Sequence, residues 1–229
     1  GLSNNHGQVG RHSLAHVRAG ANGVIPGRRL HRFSGTASQW TAVDDWDSDF
    51  FDHTSLGFTG GGTMSATMEA KPIGAARTTP PSIPRWGSAW KAWLKENAIS
   101  VASAATQINV APYEDIFLDL DPTTKDPDGF PVVRVTNDLK ENERGAALFV
   151  QGKCMDWLRE AGASEVWPVA PSSPSIQTHA YGGTRMGDDP SVDVTDRWCF
   201  SHEVPNLGVL GASNQAYIAS GSASGTQPT

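Results

Sequence analysis

Three observations predict an α+β fold, an antiparallel sheet with packed helices. Between residues 99 and 138, "ISVASAATQINV" and "DIFLDLDP" alternate apolar with polar side chains, and "DPTTKDPDGFPVVRVTND" reads as strand, turn, strand. Residues 138–163 carry apolar side chains at helical spacing. Finally, 24 glycines and 15 prolines in 229 residues predict long ordered loops in place of a helical bundle.

Each element follows from its residues. In 1–35, Val9, Leu14 and Val17 are spaced to line one short helical face. From 38 to 73 the chain is aromatic and acidic, then glycine-rich, with Phe58 and Met64 on either side of a triple glycine; irregular loops and short strands are expected. "TTPPSIPRW" is locked by proline, and Trp90, Trp93 and Leu94 then predict a helix over 87–97. After the strands above comes the longest helix, 138–163. Asp138 and Glu141 form its capping box, Leu148, Phe149, Cys154, Met155, Trp157 and Leu158 its apolar stripe, and Gly162 its end. "SEVWPVA" reads as a strand, "THAYGGTRMGDDP" (178–190) as a loop, and "VPNLGVLGAS" as a buried strand. No internal repeat is present.

Composition excludes several classes. The 38% hydrophobic content supports a core, and 18 basic against 24 acidic residues without a basic cluster argue against nucleic acid or an anionic membrane. No run approaches the roughly 18–20 apolar residues of a membrane span, and the first residues lack the order of a secretion signal. Cys154 and Cys199 are isolated and support neither a disulfide framework nor a zinc site. The chain opens and closes in turn residues, so it is expected to be a piece of something larger.

Most candidate motifs fail on context. "GFTGGGTMS" (57–65) would need a strand before it and a helix after it to cradle phosphate, so a glycine bulge near a ligand pocket is the better reading. His12 and His16 stand four apart, but without a third ligand or a glutamate between them no metal is assigned. His6, His31 and His53 are isolated. The acidic run 44–52 is expected to be a solvated loop, and "SGSASG" does not match a nucleophile elbow.

"THAYGGTRMGDDP" is different. Gly182 and Gly183 would let backbone approach a flat ligand, Arg185 and the aspartates would pin the loop, and His179 would face the ligand. A histidine is suited to take a proton from an alcohol near neutral pH, the step that prepares hydride removal from carbon. A histidine hydrogen-bonded inside a rigid turn is the competing reading.

At these residues the sequence resembles a known family. "HAYGGTRMGDDPSVDV", then "HEVPNLGVLGAS", then a closing "GTQPT" resembles the C-terminal portion of the glucose-methanol-choline (GMC) flavoprotein oxidoreductases, whose usual form is H-x-x-G-T/G-x-R-M-G, H-x-V-x-N-L-x-V-x-D/G-A/S-S and N-P-T. "NNHGQVGRHSLAH" is similar to the family's G-x-V-G-R-x-x-x-x-H segment, and "SLGFTGGG", "KPI" and "PRWGSAWK" to its gluconate dehydrogenase-like branch.

The resemblance implies a substrate-binding domain at 36–165, a segment bordering an FAD domain at 1–35, and an active-site loop and return strand at 166–229. "VPNLGVLGAS" would be the last strand of the FAD-domain sheet, putting Gly211, Ala212 and Ser213, with Pro228 and Thr229, near FAD. His179 matches the active-site histidine that assists proton removal as hydride passes to flavin N5. Gln227 stands at the second catalytic position, where the family has His or Asn, and its longer stem changes the geometry.

The family's G-x-G-x-x-G pyrophosphate loop is nowhere in the sequence, so this chain alone is not expected to retain FAD. The implied reaction is hydride transfer from an alcohol or sugar hydroxyl to flavin. Trp and Phe residues near 40–58 are candidates for stacking on a sugar. The implied partners are an FAD-binding half on another segment or chain and, by analogy with the branch, a small subunit and a cytochrome in the bacterial periplasm. A non-catalytic binding or assembly subunit that keeps the same fold is the alternative.

Overall fold

The structure is a computed structural model in which residues 2–30, 32, 41–66, 71–172 and 179–218 are described. In chain order the described elements are β1 (Leu14–Ala15), β2 (Arg18–Val24), β3 (Thr41–Val43), β4 (Gly62–Ala66), α1 (Pro72–Arg77), α2 (Gly87–Asn97), β5 (Val101–Ile108), β6 (Phe117–Lys125), β7 (Pro131–Thr136), α3 (Glu141–Glu160), β8 (Glu165–Ser172) and β9 (Ala180–Tyr181). The fold is mixed α/β with antiparallel sheets and few helices. Two compact units form, one from residues 18–108 and 141–172, the other from 1–17, 109–140 and 173–229.

The first unit is built on a five-stranded antiparallel sheet of order β3-β4-β5-β2-β8. Strand β2, Arg-Ala-Gly-Ala-Asn-Gly-Val, is central, and all its residues but Arg18 are buried. Its small side chains suit close neighbours: a Cβ on Gly20 would lie 2.3 Å from the Ala104 carbonyl oxygen. Helix α3 packs across β2, β5 and β8. Its buried stripe runs Glu143, Ala147, Val150, Cys154 and Leu158, the 3.6-residue period that puts one face on the sheet.

Cys154 and Leu158 therefore lie where the sequence puts them, whereas Leu148 falls off the stripe and is half exposed. The helix starts at Glu141, not Asp138; Lys140, just before it, pairs with Asp115 at 2.5 Å. It ends as expected. Gly162, at φ +92°, donates to the Arg159 carbonyl and Ala163 to the Leu158 carbonyl, the paired bonds of a Schellman motif.

Helix α2 occupies 87–97 as predicted, and Trp93 packs edge-on against Trp167 beside Val24 and Val101. The glycine-rich run leads into strand β4 and not into a helix. A Cβ on Gly61 would come 1.8 Å from the Trp46 carbonyl oxygen, so the bare backbone serves close approach to the chain itself. Of the aromatic residues proposed for sugar stacking, Phe51 and Phe58 pack on Phe149 of α3 and Phe50 is exposed; Trp40 lies outside the described residues.

In the second unit, β6 and β7 form the predicted hairpin. Its turn is closed by Asp126, whose carboxylate accepts from the Asp128 and Phe130 amides, with Gly129 at φ +88°. The pairs Leu118–Val135 and Leu120–Val133 share one face. The helix expected near Val9, Leu14 and Val17 does not form: Leu14 and Ala15 pair as β1 with Tyr181 and Ala180. Residues 204–213 are also not a strand in this chain. They make one bridge, Phe200 to Gly208, and Leu210 is 85% exposed.

Candidate functional site

The histidine loop is fixed by its own glycines. Gly182 and Gly183 adopt φ of +72° and +94°, conformations a side chain disfavours. A Cβ on Gly182 would lie 2.0 Å from the His12 carbonyl oxygen, and Gly10 donates its amide to the Gly183 carbonyl at 2.6 Å. The close approach foreseen for a flat ligand is thus made, at Gly182, by the chain's own backbone.

Downstream, the amides of Gly182, Thr184 and Met186 donate to the carbonyls of Ala212, Ser213 and Asn214 at 2.9–3.0 Å. Residues 212–214 form a 3-10 turn after Gly211, which is exposed at φ +116°; Ala212 is buried. Asn214 is 1% exposed. Its carboxamide accepts from the Thr184 hydroxyl and donates to the Val209 carbonyl, which locks the turn to the loop.

Charge holds the far end. Arg185 Nε donates to Asp193 Oδ1 at 2.8 Å, with side chains 19% and 11% exposed. At Gly187 a Cβ would fall 2.0 Å from Asp193 Oδ2, so a side chain there would displace the carboxylate that binds Arg185. The two aspartates of the quoted motif act elsewhere. Asp188 pairs with Arg197 at the surface, and Asp189 caps its own turn through the Ser191 amide and hydroxyl. Of the acids near Arg185, Asp193 is the one that binds it, a pairing eight residues apart that residue order alone did not single out.

His179 is half-buried, with Nδ1 enclosed by the chain. Its ring centroid stands 5.3 Å from that of His16, edge to face at 70°. His16 is fully buried and also meets Tyr181 at 6.1 Å. His12 sits nearby on a bend with φ +54°, its Nδ1 3.4 Å from the Pro112 carbonyl. Burial, reinforced by the Arg185 guanidinium, holds the His12 imidazole below the ordinary histidine value. The spacing of His12 and His16 therefore reflects a bend followed by a short strand, not two ligands on a helix face.

A cavity of about 470 Å³ opens beside β1 and β9, lined by apolar Leu14, Ile116, Val133, Val135 and Tyr181, with Asn137 and Ser213 among its polar groups. Of the predicted cofactor residues that are described, Gly211, Ala212 and Ser213, only Ser213 lines it. Gln227, Pro228 and Thr229 lie outside the described residues, as does "SGSASG". Sequence reasoning missed His16 and Asn214 as parts of this site, since both depend on contacts between segments far apart in the chain.

The family model described as GMC oxidoreductase matches residues 112–227. The chain is 34% identical over 190 residues to a gluconate 2-dehydrogenase flavoprotein of Pantoea cypripedii, covering 79% of this chain and 31% of that protein. It is 28% identical over 222 residues to a 2-methyl-1,2-propanediol dehydrogenase of Mycolicibacterium austroafricanum, covering 93% of this chain and 38% of that protein. A fructose dehydrogenase large subunit of Gluconobacter japonicus is 33% identical over 102 residues, covering 44% of this chain and 18% of that protein. The chain thus spans about a third of the length of the two longest of these matches. A loop-borne histidine held by glycines, an arginine clamp and a buried asparagine, within the matched span, is what this similarity accompanies: the chain belongs to the GMC oxidoreductase family.

Proposed function

We propose that this chain is the substrate-side portion of an FAD-dependent dehydrogenase that oxidises an alcohol or sugar hydroxyl, with His179 as the proton acceptor. The observation that carries the reading is the His179 loop, built by bonds to residues 212–214 and by the Arg185–Asp193 pair so that one half-buried imidazole is held in place. Family membership and relatives named as dehydrogenases of a diol and of gluconate support the reaction class.

The residues lining the cavity of about 470 Å³ are mostly apolar and would leave room for one end of a flavin; Ser213 is among them and His179 is not. The residues present do not fit the pyrophosphate, since the chain's glycine-rich run leads into β4 and presses on Trp46. FAD binding would then need a dinucleotide-binding half on another segment or chain. Residues 1–35 and 166–229 would border that half, and 36–165 would form the substrate-binding domain.

When bound, the flavin supplies the acceptor for hydride. The chain's own contribution is to position and deprotonate. His179 would take the hydroxyl proton at Nε2, the nitrogen opposite the enclosed Nδ1. Arg185 and Asp193 would hold the loop at a fixed distance from the reacting carbon. Gln227 would be a second hydrogen-bonding group to the same hydroxyl, and Gly211, Ala212, Pro228 and Thr229 would contact the cofactor. A relative named as a large subunit suggests partner subunits for this protein also.

The test is to purify the complete native polypeptide under non-denaturing conditions and add a panel of sugars and alcohols without oxygen. A flavin band that bleaches with one of them is expected. A colourless, stable protein that still binds sugar would overturn the reading in favour of a binding module.

A further inference from the structure

Resting on the assignment of His179 as proton acceptor, we infer that His16 is its positioning residue. The two-strand ladder pairs Leu14 with Tyr181 and Ala15 with Ala180. Carried one step further, the same antiparallel register sets His16 opposite His179, and the rings do meet, centroids 5.3 Å apart at 70°. The segment "SLAH" is thereby the template against which "HAY" is laid.

His16 is 0% exposed, whereas His179 is half-buried. The His16 ring, packed also against the buried Tyr181 at 6.1 Å, stands at 70° to that of His179 and is a fixed neighbour for the second imidazole. Rotation of His179 about its side-chain bonds would swing it away from the one direction in which it reaches a substrate hydroxyl. His16 limits that rotation and does not itself touch substrate.

The experiment compares the complete flavoprotein with its His16→Ala, His179→Ala and doubly substituted variants, with Val17→Ala as a packing control. Val17 is 2% exposed and adjacent to His16, yet outside the cavity lining. His16→Ala is expected to lower kcat about 10–100-fold, the scale of a misplaced catalytic group, with KM within about twofold. Val17→Ala should lower thermal stability while leaving kcat of the folded enzyme within about threefold, a scale set by packing and not by orientation. The double variant should be no slower than His179→Ala alone, since a residue acting through His179 has nothing left to position.

A near-normal kcat for His16→Ala, or losses that multiply in the double variant, would overturn the inference and leave the role of His179 standing. Normal turnover by His179→Ala would remove both. Should His16→Ala not fold, His16→Asn, which keeps a polar group but lacks the ring edge, carries the same expectation and the same overturning results.

Discussion

Replacing Gly182 by alanine tests whether the histidine loop really lies on the 8–14 segment. Two costs add. The residue sits at φ +72°, where a non-glycine residue loses about 1–2 kcal/mol. Its new Cβ would also be 2.0 Å from the His12 carbonyl oxygen, so backbone must move by about an ångström, which costs about 1–3 kcal/mol as overpacking does. The total is about 2–5 kcal/mol, and the shift would pull on the amide that donates to Ala212. Gly129→Ala is the matched control: its φ is +88° but nothing lies within 4 Å of its Cβ, so it bears the first cost alone. Denaturant unfolding of both variants of the complete protein, followed by tryptophan fluorescence, reads the difference. Equal losses, within about 0.5 kcal/mol, would refute the close approach, because conformational strain would then account for both.

Asp193→Ala strands an arginine that is 19% exposed and should cost about 2–3 kcal/mol, read by the same unfolding assay, with a fall in kcat as the His179 loop loosens. Burial pushes the Cys154 thiol up from 9.0 to about 12. The folded state thus holds this proton more tightly than the unfolded chain, so the associated stability is present below pH 9.0 and is lost as pH rises towards about 12. A Cys154→Ala variant should show a shallower loss of stability across that window. Native Cys154, 0% exposed, should resist alkylation near neutral pH until the protein is unfolded, whereas the partly exposed Cys199 should react first. Gly162→Ala should cost about 1 kcal/mol, since φ is +92° and its surroundings are open.

Local periodicity was legible in this sequence, and long-range pairing was not. Trp90, Trp93 and Leu94 marked α2, and the hairpin followed from β-branched runs around "DPDG", because both depend on residues close together in the chain. The start of α3 lies three residues beyond Asp138, and Lys140 before it pairs with Asp115, 25 positions earlier, a contact no local window contains. Val9, Leu14 and Val17 had the spacing of a helical face, yet Leu14 and Ala15 answer to Tyr181 and Ala180, and that pairing is invisible to any local window. "VPNLGVLGAS" had the composition of a buried strand but pairs here through a single bridge, because composition names no partner strand. At the site itself, the motif marked His179 and Arg185. Which acid would bind Arg185, and that His16 would back His179, depended on the fold.

The central claim is that His179 takes the substrate proton, and rapid mixing of the complete flavoprotein with its substrate under anaerobic conditions tests it most directly. Flavin reduction in a His179→Ala variant is expected to be about 10²–10⁴-fold slower than in the parent, with FAD content unchanged. Reduction at the parental rate would contradict the account, leaving the loop as architecture without a role in the chemistry.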